Sequence, residues 1–209
     1  MRTMRKAFMW QAMMAAMAAM AGGAQAQTPA AETATVIRAR HVCVACHGEG
    51  GRSENRAVPS LAGQTREYLA AQLKDFRAQI RVEAGSRGYM WGISALLDDE
   101  AISGLSDYYA AQLPVRGKPA AAAPAPLGRE IFVNGIAARG VRACASCHGE
   151  GAEGAKVFPR LAGQHAEYIL AQLKEFSTAL RPHASVMRAE VQALSPEEMK
   201  AVAEYVQSR

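Results

Sequence analysis

Apolar residues recur at helical spacing in several stretches of this chain, and they nowhere alternate with polar ones over the length of a strand. Leu69, Leu73 and Phe76 fall four and three residues apart, which is one apolar face of a helix. Glu67 and, a hundred residues on, Glu167 sit in first turns, where the helix dipole favours a negative charge. Ser195-Pro196-Glu197-Glu198 is a helix start: a serine cap, proline at the first position, and glutamate three after the cap. Asp98-Asp99-Glu100 opens a matching helix earlier in the chain, and Gly128-Arg129-Glu130-Ile131-Phe132 starts another. The expected class is all-α, with long Gly/Pro-rich loops between the helices.

The pattern is also repeated. Cys43-Val44-Ala45-Cys46-His47-Gly48-Glu49-Gly50 returns as Cys144-Ala145-Ser146-Cys147-His148-Gly149-Glu150-Gly151. Pro59-Ser60-Leu61-Ala62-Gly63-Gln64 returns as Pro159-Arg160-Leu161-Ala162-Gly163-Gln164. The run from Tyr68 to Phe76 returns from Tyr168 to Phe176. Met90, Leu97 and Tyr108 match Met187, Leu194 and Tyr205. Two domains of one kind follow, residues 27–114 and 127–209, each of about three main helices. An Ala/Pro-rich linker over 115–126 joins them, a composition that suits an extended, semi-rigid connection. A domain of fewer than ninety residues has a marginal core and usually needs a staple.

Composition narrows the class. The formal charge is +5, yet Arg2, Arg5 and Lys6 supply three of the basic residues before the first acid, Glu32. Residues 1–26 combine that basic start with an apolar stretch and the small-x-small ending Ala24-Gln25-Ala26, the three-part pattern of a secretory signal peptide. Without them the charge is +2, and no basic stripe interleaved with aromatics is present, so a nucleic-acid partner is not expected. The mature protein is expected in the periplasm, exported behind a cleaved signal peptide. An exported chain meets an oxidising compartment, which favours disulfides, so the four cysteines need an assignment.

Cys-x-x-Cys-His is the attachment sequence of c-type haem. Two thiols three residues apart lie on one turn, where each can form a thioether with a vinyl group. The next residue then brings an imidazole nitrogen to the iron. Disulfides would not require a histidine after each pair, and a zinc site would have to draw its ligands from two domains. A thioredoxin-like redox pair needs a strand–helix setting that this pattern lacks. Two motifs in register therefore point to two covalent haems, held by Cys43, Cys46 and His47 and by Cys144, Cys147 and His148.

An iron held by one histidine needs a second axial ligand or stays open for chemistry. Only Met90, Met187 and Met199 lie outside the proposed signal segment. Met199 aligns with Ile102 inside the last helix and reads as packing. Met90 and Met187 align with each other, each before the last helix of its half, and are the expected axial ligands. His41, His165 and His183 have no histidine counterpart in the other half and read as surface residues. Of the three, His183, four residues before Met187, is the strongest competitor.

These residues resemble the class I cytochromes c, and specifically the dihaem cytochromes of the c4 type. The narrower signature is Leu-Ala-Gly-Gln followed by Tyr-x-x-x-Gln-Leu-Lys-x-Phe, present twice. The resemblance implies two tandem helical domains, each wrapped around one covalent haem c, docked with haem edges and propionates facing the boundary. It also implies that the Pro59 and Pro159 carbonyls accept from the ring N–H of His47 and His148. The departure is around the methionines, where Gly88-Tyr89-Met90-Trp91 faces Ser185-Val186-Met187-Arg188. Trp91 reads as packing at the haem edge.

With six ligands the iron has no place for a substrate, so the expected role is an electron carrier and not an enzyme. Methionine–histidine ligation raises the reduction potential, which places the carrier late in a respiratory chain. The expected partners are redox proteins: a quinol-oxidising complex or dehydrogenase as donor, a terminal oxidase or reductase as acceptor, with room for peripheral membrane association. The alternatives are a haem-bearing subunit of a larger dehydrogenase or oxidase and, behind it, a dihaem peroxidase.

Overall fold

The computed structural model describes residues 33–118 and 126–209. The expected signal segment and linker residues 119–125 lie outside them. The first half opens with α1 (Ala34–His47), capped by the Thr33 hydroxyl, which accepts from the Val36 N–H. Then come α2 (Arg66–Arg77), a single π turn (Ser86–Met90) that runs into α3 (Trp91–Ala95), and α4 (Asp99–Ala110). The second half holds α5 (Pro126–Asn134), α6 (Ala145–His148), α7 (Ala166–Phe176), α8 (Ser185–Val191) and α9 (Pro196–Gln207). Among the described residues, β structure is limited to two isolated bridges, Ile136 with Val141 and Ala155 with Phe158. No helix there is long and apolar enough to cross a membrane.

Each half has its own core. In the first, Ile102, Leu105 and Tyr109 of α4 pack with Val36 of α1 and Leu69 of α2. In the second, Met199, Val202 and Val206 of α9 pack with Ile131 and Phe132 of α5 and with Ile169 and Leu173 of α7. The three-and-four spacing on α4 and α9 is one apolar stripe turned inward. Met199 is 7% exposed and Ile102 is 1% exposed, so the packing reading of Met199 holds. Both last helices start as their sequences predict. Asp98 accepts from the Ala101 N–H at 2.7 Å, and Ser195 and Glu198 form a reciprocal capping box.

The first and last helices of each half cross closely, and the glycine that permits it changes sides. A Cβ on Gly104 of α4 would meet Val36 Cγ2 at 2.4 Å. In the second half the glycine is Gly128 of α5, where a Cβ would meet the Ala201 carbonyl oxygen at 2.1 Å.

The three main helices expected in each half are α1, α2 and α4 in the first and α5, α7 and α9 in the second, and two details add to them. Both methionine segments form short helical pieces, α3 with its π turn and α8. The helix entering the cysteine motif is continuous in the first half and broken in the second. There Asn134-Gly135, with Gly135 at φ 70°, ends α5, and α6 begins afresh beside the cysteines.

The halves dock through a buried polar boundary with approximate two-fold correspondence. Gln64 bonds the main chain of Arg160, and Gln164 bonds that of Ser60. Arg81 and Arg181 each reach both Gln72 and Gln172. Residues 115–118 run along the second half, where Lys118 N–H donates to the Gln207 carbonyl at 3.1 Å.

Candidate haem sites

In the first half Cys43, Cys46 and His47 occupy the last turn of α1. In the second, Cys144 caps α6, and Cys147 and His148 complete it. Both turns stop directly after the histidine, at Gly48 and Gly149, with φ 75° and 82°. A Cβ on Gly48 would stand 2.2 Å from the Arg52 carbonyl oxygen, so glycine is required for the chain to fold back beneath the histidine.

That return brings a proline carbonyl onto each imidazole. His47 Nδ1 lies 2.8 Å from the Pro59 oxygen, and His148 Nδ1 lies 2.9 Å from the Pro159 oxygen. An N–H at Nδ1 fixes the tautomer and leaves Nε2 as the ring nitrogen with a free lone pair. Both rings are buried, 9% and 5% exposed. Burial lowers both imidazole pKa values, against the opposing pull of the proline carbonyls, so the neutral, ligating form is favoured.

Among the described residues no cysteine is paired in a disulfide, so all four are available for attachment. Burial pushes the Cys43 thiol up, and the Cys144 thiol up to about 11. Met90 ends the π turn, half-buried. Met187 lies in α8, half-buried against the second core. Apolar side chains beside the two methionines in the chain stand open: Tyr89 is 71% exposed and Val186 52%. Phe158 stacks edge-on to His148 with centroids 6.3 Å apart. The donor set thus fits a c-type haem in each half: two thiols on one turn, a neutral histidine with Nε2 free, and an aligned thioether.

The competing histidines are accounted for. His183 is exposed, and its Nδ1 lies 2.9 Å from Asp75 Oδ1 of the first half. His41 is exposed, as expected. His165 corrects its assignment as a surface residue. It is 8% exposed, and its Nε2 lies 2.9 Å from the Ser53 carbonyl oxygen across the boundary. Trp91 gives its indole N–H to the Arg81 carbonyl at 2.7 Å, tying the Met90 turn to the boundary.

The boundary residues Gln64, Gln72, Arg81, Glu83, Gln164, Gln172 and Arg181 were not anticipated as part of the functional apparatus. The glutamines stand in the twice-repeated runs, which is the signal that could have marked them.

The cytochrome c family model matches residues 30–109 and 126–209. Cytochrome c-552 of Acidithiobacillus ferridurans is 36% identical over 190 residues, covering 90% of this chain and 82% of that protein. The structure of Acidithiobacillus ferrooxidans cytochrome c4 matches with a TM-score of 0.75 at 37% identity, covering 80% of this chain and 98% of that one. The thiosulfate dehydrogenase electron acceptor of Thiomonas intermedia is 39% identical over 144 residues, covering 66% of this chain and 64% of that protein. With two matched regions, two cores and two complete motifs, the chain belongs to the cytochrome c family as a dihaem member of the c4 type, carrying two covalent haem c groups.

Proposed function

We propose that the chain is a periplasmic electron carrier in which residues 27–114 and 127–209 each hold one haem, joined by a linker over 115–126 and exported behind residues 1–26. Cys43, Cys46, His47 and Met90 hold the first, and Cys144, Cys147, His148 and Met187 the second. A c-type haem with histidine and methionine on its axial positions exchanges one electron at a raised potential. The protein residues do the rest. His47 and His148 keep one ring orientation because Pro59 and Pro159 accept their Nδ1 protons. Met90 and Met187 would close the sixth position, which leaves no site for a substrate. The docked boundary holds the two centres in one register, so an electron entering one half can leave through the other.

The observation that carries this reading is the identical imidazole anchoring in both halves, at 2.8 and 2.9 Å. The test starts with periplasmic material, whose mass should include two haems and lack residues 1–26. Met90→Ala and Met187→Ala should each remove half of the thioether–iron absorption of the ferric protein. The ligand assignment is overturned if Met187→Ala keeps that absorption while His183→Ala loses it.

A second reading concerns the donor. The similarity to a thiosulfate dehydrogenase electron acceptor favours a dehydrogenase as the protein that reduces this chain, either as a diffusing partner or in a lasting complex. Native co-purification distinguishes the two, since a free carrier elutes alone.

A further inference from the structure

The glutamines that dock the halves also reach the histidine of the opposite half. Gln164, 6% exposed, accepts from the Ser60 N–H through Oε1 at 2.9 Å and donates from Nε2 to the Ser60 carbonyl at 2.9 Å. The Ser60 N–H belongs to the same peptide group as the Pro59 carbonyl, and that carbonyl accepts from His47 Nδ1. Gln64, 7% exposed, repeats the arrangement in the other direction. Its Oε1 accepts from the Arg160 N–H at 2.7 Å, and its Nε2 donates to the Arg160 carbonyl at 3.0 Å. The Arg160 N–H shares its peptide with the Pro159 carbonyl, the acceptor for His148 Nδ1.

A continuous chain of dipoles therefore crosses the boundary twice: glutamine carbonyl, peptide N–H, proline carbonyl, imidazole N–H. Hydrogen bonds in such a chain polarise one another, so an acceptor on the peptide N–H makes the proline carbonyl a better acceptor. A better acceptor at Nδ1 raises the basicity of the ligating nitrogen and lowers the potential of the iron it binds. Two bonds from one carboxamide to a single residue also fix the plane of the peptide that bears the acceptor.

We propose that Gln164 and Gln64 are positioning residues that act across the boundary, Gln164 on the first half's haem through His47 and Gln64 on the second half's haem through His148. This rests on the reading of the two histidines as axial ligands. Its consequence is that the state of docking is felt at each iron: a partner that strains the boundary alters both potentials without touching either haem.

The experiment is a redox titration of the full-length two-haem protein, each haem followed by its own NMR resonances, with exchange of each imidazole Nδ1 proton measured alongside. Gln164→Ala should raise the first haem's potential and speed exchange at His47, moving the second haem less. Gln64→Ala should do the reverse. Gln172→Ala, which loosens the boundary without touching either relay, should move both haems together. A larger change on the variant residue's own half, or equal changes on both halves in the two relay variants, overturns the proposal. If one relay variant does not mature, the other decides alone. Failure of the ligand assignment shows separately, in the parent protein, as fewer than two haems or a missing thioether–iron absorption.

Discussion

Replacing Glu83 by glutamine should raise the potential of the first half's haem and draw the two potentials together. Arg81 and Arg181 hold equivalent places, each 5% exposed and each lying 4.3 Å over a phenylalanine ring, Phe76 or Phe176. Only Arg81 has a carboxylate: Glu83 accepts from its Nε at 2.8 Å and again from its Nη2. At the matching place stands His183, whose ring turns outward to Asp75. Among the described residues no carboxylate pairs with Arg181, and its Nε has no partner. Glu83 is fastened to the turn that leads to Met90, since its carbonyl accepts from the Arg87 N–H at 3.1 Å. Its charge is therefore assigned to the first half, where it favours the ferric state, so that haem should be the lower in potential. At an effective dielectric of about 20, a unit charge would contribute about 1.4 kcal/mol to a centre if about 12 Å separated them, which sets the order of magnitude of the shift. That is about 59 mV for a one-electron couple. Glutamine keeps the shape and an acceptor for Arg81 while removing the charge. The assay is a titration of the parent and variant proteins that resolves each haem. A separation that does not change in the variant, with both thioether–iron absorptions intact, would refute the reasoning.

Two further outcomes concern stability. Gly128→Val should cost at least about 1–3 kcal/mol, because its Cβ would stand 2.1 Å from the Ala201 carbonyl oxygen and α5 and α9 must separate. Gly92→Ala, where a Cβ meets nothing within 4 Å, should be neutral or stabilising by under about 1 kcal/mol, and denaturant midpoints of the two-haem proteins check both. The Glu83 carboxyl is pushed up by burial, but Arg81 more than reverses this and holds it below its ordinary 4.5. Its contribution is then fully present above pH 4.5 and lost as pH falls through the lower folded-state value. Denaturant stability should thus fall from about pH 4.5 downward in the parent, and less steeply in Glu83→Gln.

The sequence made the local features legible because each rests on near neighbours. A three-and-four apolar spacing, a serine three before a glutamate and a histidine after a cysteine pair all act within a turn or two. The cores of α4 and α9 and the box at Ser195 followed accordingly, while the proline anchors of the imidazoles, 12 and 11 residues away, came from the family resemblance. What was hidden depends on partners far along the chain. Gln64, Gln164, Gln72 and Gln172 are polar residues on or beside helices, and a pattern of apolar positions assigns such residues to solvent. His165 reads as a surface residue because it has no histidine counterpart in the other half, and the Ser53 carbonyl it meets lies 112 residues away in the chain. The break between α5 and α6 is marked by Asn134-Gly135, a turn pair that ends the helix begun at Gly128-Arg129-Glu130-Ile131-Phe132 before the second cysteine motif. Linker composition alone could not distinguish docked halves from separate ones.

The polar character of the boundary has its own consequence for electron transfer. Two apolar faces can slide over one another with little change in buried area, because the hydrophobic effect has no direction. Two carboxamides, each committed to the N–H and carbonyl of one residue, cannot. A shift of even one residue would leave four main-chain groups without these partners, the two of Ser60 buried and costing about 1–3 kcal/mol each. The buried arginines add to this, since Arg81 and Arg181 lose both glutamine oxygens together if the halves slip. Loss of these bonds together makes a partly slipped boundary costlier than a docked one. Electron transfer between two centres needs a fixed separation and orientation, and this boundary meets that need through directionality more than through area. The correspondence between halves makes the arrangement sparing in sequence: each copy of the repeated Pro-x-Leu-Ala-Gly-Gln run supplies both a clamping glutamine and, at its proline end, the peptide that the other copy clamps.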